Sequence, residues 1–127
     1  MKVRHKVEEK ARDGMAMKLP VIIFKEDAAT ICYCPALDLS GYGHNEKEAI
    51  ESYKYVVNEY LGHSAQQHTL EKDLKRLGWQ IKRNLEKSIV PPPVTKLLAN
   101  NNNFRRVFEK FDYKKLSTSI NFPALSV

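Results

Sequence analysis

Alternating apolar and polar residues predict a β-rich first half. Residues 2–9 alternate in a way that is typical of a half-exposed strand. A run of β-branched and aromatic residues at 21–24 follows Pro20, and it predicts a buried strand. Residues 29–34 alternate again and form the next predicted strand. Pro35 ends that strand, because proline supplies no backbone N–H to a sheet.

The strongest helical signal covers residues 46–61. Asn45 is a predicted N-cap, and Glu48 follows three residues later as in a capping box. Gly62 is the predicted C-terminal stop, because glycine is favoured just past a helix end. The apolar side chains recur at helical spacing and predict one buried face: Ile50, Tyr53, Val57, Tyr60 and Leu61.

The second half of the chain carries helical patterns and one strong break. A short helix is expected after Thr69, which can cap it, with Gly78 as its stop and a final strand at residues 79–81. The three prolines at 91–93 cannot continue a helix, so they predict a boundary. We therefore divide the chain into an α+β unit, residues 1–88, and a basic helical extension, residues 89–127.

Within the extension, the pattern predicts two short helices. One covers residues 95–100, and an amphipathic helix carrying four apolar residues covers 104–112. An asparagine run at 100–103 separates them. Residues 116–122 alternate, and they fit either a late strand or an extended strap along the first unit.

Composition is that of a globular protein. Of the 127 residues, 43% are hydrophobic and 28% are charged. Neither a membrane-spanning apolar stretch nor a secretory signal is visible, and Cys32 and Cys34 do not suggest a disulfide framework. We therefore expect a cytoplasmic protein.

The charge is concentrated in the second half. Residues 1–70 carry nine basic and ten acidic side chains, whereas residues 71–127 carry twelve basic and five acidic ones. A basic segment of this kind is typical of proteins that bind an anionic partner, but well-solvated helices carry the same excess of lysine and arginine. The candidate contact residues for nucleic acid or a partner are Lys82, Arg83, Arg105, Arg106, Lys110, Lys114 and Lys115.

Catalytic chemistry has weak support in the sequence. A metal-dependent nuclease would need converging carboxylates, and the candidates are Asp27, Asp38, Glu48 and Glu51. Turn and helix-dipole roles explain these residues more simply. The two cysteines lie two positions apart, which favours small buried hydrophobic roles over a zinc site. We expect no catalytic residue, metal or cofactor, and no enzymatic activity.

A set of residues between Leu19 and Gly62 resembles the HicB family of toxin–antitoxin proteins. Two strands flank a charged turn, and a Pro-x-Leu-x-x-x-Gly segment follows at residues 35–41, then a second glycine and an acidic-Ala pair at the helix start. The matching residues are Pro35, Leu37, Asp38, Gly41, Gly43, Glu48 and Ala49. The chain departs from the family pattern in two respects within this segment, since the acidic residue is displaced by two positions and a second proline is missing.

The resemblance implies a fold and a function. The fold is a small antiparallel sheet packed on one main helix in β-β-β-α-β order, a partial RNase-H-like domain. The function is that of a non-catalytic antitoxin, or a stand-alone relative, that binds a small basic RNase toxin of HicA type. Family members often end in an operator-binding domain, of which residues 94–115 show no clear pattern.

Two function classes therefore remain open. In the first, the near-neutral first unit binds a basic partner protein, for which the basic extension is poorly matched. In the second, the chain is a transcriptional regulator whose basic extension contacts operator DNA. A homodimer is also expected, because a small sheet leaves a strand edge to cover.

Overall fold

The computed structural model describes residues 15–82 and 88–123, so the predicted strand at 2–9 lies outside the described residues. The strands are β1 (Met15–Glu26), β2 (Ala29–Cys34), β3 (Leu39–Gly43), β4 (Gln80–Lys82), β5 (Ser88–Val90) and β6 (Tyr113–Phe122). The helices are α1 (Glu46–Gln66), α2 (Leu70–Arg76), α3 (Val94–Asn100) and α4 (Asn102–Lys110). The predicted α+β class is confirmed. None of the described helices is both long and apolar enough to cross a membrane.

The main sheet is antiparallel and has the strand order β3-β2-β1-β6. Strand β1 is central, and its last residues pair with β2 through a two-residue turn in which Asp27 has a φ of 57°. On its other side β1 pairs with β6 over ten positions, from Met15 opposite Phe122 to Phe24 opposite Tyr113. Strand β1 is thus longer than the run predicted at 21–24.

Strand β1 runs through Pro20 because that proline costs no ladder hydrogen bond. The two-residue turn makes Glu26 and Ala29 a hydrogen-bonded pair, so even-numbered residues of β1 direct their backbone groups toward β2. Residue 20 therefore faces the β2 side, where β2 pairs only as far as Ile22. The prediction that Pro20 opens the strand was wrong for this reason.

One face of the sheet packs against α1. The alternation of β1 and β2 directs Val21, Ile23, Cys32 and Cys34 toward this helix, which buries Tyr53 and other apolar residues of its inner face. Asn45 caps α1 as predicted, since its Oδ1 accepts the Glu48 N–H at 2.9 Å. The helix continues beyond Gly62 to Gln66, so the predicted stop was wrong.

The two helices after the prolines cover the opposite face. Helices α3 and α4 bury Leu97, Phe104 and Val107 against β1 and β2 side chains of that face, including Ile22 and Tyr33. The helices predicted in the extension are therefore present. Phe104 and Phe111 pack on the chain's own sheet, whereas Phe108 is exposed. Only Asn101 separates the two helices, so most of the predicted asparagine break is helical.

The extension is not purely helical, because it supplies β6 to the main sheet. Of the two alternatives for residues 116–122, a late strand or an extended strap, the strand is the one that forms. The strand predicted at 79–81 corresponds to β4, which pairs with β5 in a separate two-stranded sheet. The strand that follows the helix in the main sheet is therefore β6, not the strand predicted at 79–81. It forms ten residue pairs with β1, whereas β4 is only three residues long. Thr69 precedes α2 without a side-chain capping bond, contrary to prediction.

Candidate functional site

The turn between β2 and β3 holds the first part of the family-like motif. Leu37 is buried in the core beneath α1, whereas Asp38 is exposed at a φ of 55° and accepts a 2.5 Å hydrogen bond from the Tyr33 hydroxyl. Asn101 reaches this turn from the other side, donating to the Tyr33 hydroxyl at 2.9 Å and to the Pro35 carbonyl at 3.4 Å. The motif turn is thus tied to the start of α4.

The two motif glycines lie where β3 touches α1. A Cβ on Gly41 would stand 2.1 Å from the backbone nitrogen of Tyr53, and one on Gly43 would stand 2.6 Å from that of Ala49. No larger residue fits at either position without moving the helix. Ala49 is fully buried at the same contact. These motif positions therefore fix the distance between sheet and helix, and they place no reactive group in a cavity.

Glu48 belongs to the start of α1 and faces solvent. Its Oε1 accepts the backbone N–H of His44 at 2.9 Å and lies 3.1 Å from the His44 Nδ1. These hydrogen bonds, the backbone one first, hold the pKa of Glu48 below its usual value. The capping box forms as a variant, because Glu48 reaches back to residue 44 instead of the N-cap residue itself.

The carboxylates considered for a nuclease do not converge. Asp27 lies in the β1–β2 turn and Asp38 in the β2–β3 turn, at opposite ends of the sheet, while Glu48 and Glu51 lie on the outer surface of α1. Across residues 15–82 and 88–123, no three His, Cys, Asp or Glu side chains are grouped so that they could hold a metal ion.

The two cysteines are free and buried between the sheet and α1. Burial is the main cause that raises the pKa of Cys32 to about 12, with a smaller contribution from the neighbouring Cys34. Burial also raises the pKa of Cys34. Neither thiol is therefore ionised at neutral pH, which agrees with a role as a small hydrophobic side chain.

Two of the basic candidates, both on α4, are used in contacts within the chain. Arg105 donates to the carbonyls of Leu98 and Ala99 at 2.9 and 2.8 Å, closing the end of α3. Arg106 pairs with Glu26 at 3.1 Å and lies 5.4 Å above the Phe111 ring. These contacts hold α3 and α4 together and against β1.

Lys114 also has an internal partner, because its Nζ lies 3.2 Å from Glu46 at the start of α1. The remaining described candidates are exposed: Lys82 on β4, Lys110 at the end of α4 and Lys115 on β6. Arg83 lies outside the described residues. Of the described candidates, the structure brings only Lys110 and Lys114 to a common groove.

A groove at one end of the sheet combines basic and aromatic side chains. Its volume is about 800 Å³, and Lys25, Lys110 and Lys114 line it together with Phe111 and Tyr113. Two acidic residues, Glu46 and Asp112, lie in the same wall and offset part of the positive charge. The aromatic contacts extend outward to Phe108, whose ring centre is 5.8 Å from that of Tyr113 and which is 44% exposed.

The opposite end of the sheet holds a smaller polar cleft of about 480 Å³. It lies between the Pro35–Asp38 turn, the end of α2 and the junction of α3 and α4, and Arg76 and Lys96 border it. Arg76 is paired with Asp73 at 2.8 Å. Arg76 thus pairs within its own helix, whereas Asp38 and Asn101 both bond to the Tyr33 hydroxyl.

The outer surface of α1 carries an acidic face that the sequence reasoning missed. Four exposed residues recur every three or four positions, away from the sheet: Glu48, Glu51, Tyr55 and Glu59. Tyr55 is 67% exposed between two carboxylates, and among the described residues no ion pair involves Glu51 or Glu59. The glutamates recur at helical spacing in the sequence, but a net charge summed over residues 1–70 does not show this local cluster.

The acidic face of α1 is bounded on both sides. Toward β3, the Ser52 hydroxyl accepts the Tyr42 backbone N–H at 3.2 Å, so α1 covers that edge of the sheet. Toward β6, Lys54 and Asn58 border a narrow pocket of about 140 Å³ with Ser119 and Asn121. The carboxylates therefore form one face of the helix, separate from the basic candidates on α4 and β6.

Comparison with known proteins adds no assignment. No protein-family model, no curated protein and no solved structure matches this chain.

Proposed function

We propose that this chain is a non-catalytic, HicB-like protein that binds a small basic RNase of HicA type and occludes it. The acidic face of α1 carries the proposal, since it presents Glu51, Tyr55 and Glu59 to solvent on a protein whose net charge is +6. A positively charged partner would be drawn to this face, because complementary charge speeds and orients association.

The motif residues support the HicB-like part of the proposal through their packing. Gly41, Gly43 and Ala49 allow the sheet and α1 to approach closely. The resemblance implies this arrangement: a hairpin of the sheet, a Pro-x-Leu turn, and two glycines packed against one main helix. The position of β6 in the sheet is a feature of this chain and is not part of that implied order.

The acidic face offers a surface that is complementary in charge to a basic partner, which the basic extension is not. The basic residues of the extension that pair with Glu26 and Glu46 are neutralised within the chain. Helix α1 packs on the other face of the sheet from α3 and α4, and its solvent-facing surface is acidic. A basic partner that approaches the outer surface of α1 would therefore meet Glu51 and Glu59, while Lys114 of the extension is paired with Glu46.

The test starts from the full-length chain as bait in a nuclease-treated lysate. A retained small basic protein would be purified, and its RNase activity would be measured with and without added chain. We expect stoichiometric inhibition. A retained protein without RNase activity, or an RNase that stays active when bound, contradicts the proposal.

A matched pair of variants locates the contact. Neutralising the acidic face with Glu51→Gln and Glu59→Gln should weaken binding at least about tenfold, because desolvated charge pairs contribute on the order of 1.5 kcal/mol or more. The control, Glu109→Gln with Asp112→Asn, removes the same charge from exposed positions on α4 and after it. Equal loss in both variants would show that net charge, and not α1, governs binding.

A second candidate function is nucleic-acid binding at the groove that Lys25, Lys110 and Lys114 line with Phe111. Aromatic rings beside lysines are typical of single-stranded nucleic-acid sites. This function predicts retention of nucleic acid that weakens steeply with salt. Retention that is insensitive to salt and survives nuclease supports the first proposal.

A further inference from the structure

Strand β6 ends the described sheet with a long free edge. One side of β6 pairs with β1, and among residues 15–82 and 88–123 no strand pairs with its other side. Natural proteins usually shorten or charge such an edge, because its unpaired N–H and C=O groups invite another strand. Here the edge is ten residues long, and residues 116–122 contain no charged side chain.

The ladder with β1 determines which backbone groups of β6 face outward. Odd-numbered residues of β1 bond to β6, so their partners Leu116, Thr118 and Ile120 direct their backbone groups inward. Residues 113, 115, 117, 119 and 121 direct theirs to the free edge. At Ser117, Ser119 and Asn121 the side chains are exposed as well.

We propose that a second copy of this chain pairs with β6, antiparallel and about a two-fold axis at Thr118. Residues whose positions sum to 236 then face each other, and every outward-facing residue meets an outward-facing residue of the partner copy. Ser117 lies opposite Ser119 of the second copy, and Leu116 lies opposite Ile120 on the α1 side of the sheet. The result is one continuous eight-stranded sheet.

The charges of β6 agree with this register. Lys114 and Lys115 are the only charged residues of the strand, and they lie near one end. In the proposed pairing, they face Phe122 and Asn121 of the second copy, so no like charges stand opposite each other. The lysines would oppose pairing in a parallel, in-register arrangement, where each would meet its own copy. The interface is formed by backbone groups of the sheet edge, not by the acidic face of α1, and the proposal does not depend on the proposed function.

Charge substitution at two exposed positions tests the register. The mass of the full-length chain in solution would be measured by light scattering and sedimentation across the micromolar range. Wild type should be a dimer, and Ser117→Lys with Ser119→Lys should raise its dissociation constant roughly tenfold or more, since two like-charged pairs then face each other. Ser117→Lys with Ser119→Glu makes both pairs complementary and should restore the dimer.

The control adds two lysines elsewhere, as Gln66→Lys with Gln67→Lys at the exposed end of α1, and should leave the dimer intact. Circular dichroism would check that all variants fold. A monomeric wild type overturns the proposal, and hydrogen-exchange protection of the Ser117 and Ser119 amides in that monomer would assign the edge to another segment of the same chain. A dimer unaffected by the two lysines, or lost equally in the complementary variant, also overturns it.

Discussion

Replacing Gly41 by alanine should destabilise the fold severely, whereas the same change at Gly62 should stabilise it. At Gly41 the new Cβ would stand 2.1 Å from the Tyr53 nitrogen and 2.6 Å from the Ser52 carbonyl carbon. Both are backbone atoms of α1, so no side-chain rotation can relieve the clash. The helix would have to move away from β3 by about an ångström, opening the core beneath Tyr53.

The magnitudes follow from these surroundings. Overpacking in a core costs about 1–3 kcal/mol, and because rigid backbone is the obstacle we expect about 3 kcal/mol or more for Gly41→Ala. Gly62 lies within α1 and has no positive φ, and nothing beyond the helix's own backbone lies within 4 Å of where its Cβ would stand. Alanine there should stabilise by about 0.5–1 kcal/mol, because it reduces the freedom of the unfolded chain.

Urea unfolding followed by circular dichroism measures both changes. The midpoint should fall for Gly41→Ala and rise for Gly62→Ala, with similar slopes. If the Gly41 variant unfolds within about 0.5 kcal/mol of wild type, which is the range of ordinary surface substitutions, the close contact between β3 and α1 is refuted.

Three further results are expected. Phe104→Ala should lower the free energy of unfolding by about 3–5 kcal/mol, because that ring is only 5% exposed between α4 and the sheet. Phe108→Ala should lower it far less, because that ring is 44% exposed, and urea unfolding of the two variants compares the losses. Cys32 should not react with a thiol reagent at pH 8 while the protein is folded, because burial shields the thiol and raises its pKa to about 12. Reaction should occur only from unfolded molecules, so added urea should accelerate it. Burial also raises the pKa of Tyr33 and Tyr53 above that of unfolded tyrosine, so their contribution to stability should be constant below about pH 10 and be lost at higher pH. A urea midpoint that is the same at about pH 9 and pH 11 would contradict this.

Local patterns predicted the first half of the fold well. The alternation of residues 29–34 predicts a strand with successive side chains on opposite faces, and Cys32 and Tyr33 do lie on opposite faces of the sheet. Asn45 marked the start of α1 because a cap is a contact between residues three apart. The end of α1 was missed because Gly62 satisfies a local stop rule, while burial of Ser64 on the same inner face extends the helix.

Contacts distant in sequence could not be predicted in the same way. Nothing near Phe104 indicates that it packs against Ile22, more than eighty positions earlier, or that β6 and not β4 completes the sheet. The internal pairing of Arg106 could not be predicted for the same reason, since Arg106 meets Glu26 only after α4 folds onto the sheet.

The pairing of β1 with β6 has a consequence for how the chain folds during synthesis. Thr118 hydrogen-bonds the Leu19 carbonyl, and the two positions are 99 residues apart. When β1 and β2 leave the ribosome, the long side of β1 has no neighbour until β6 is made. Contacts of such sequence separation slow folding, and exposed strand edges promote aggregation in the interval. Premature termination before residue 113 would leave β1 as an open edge for the whole life of the product.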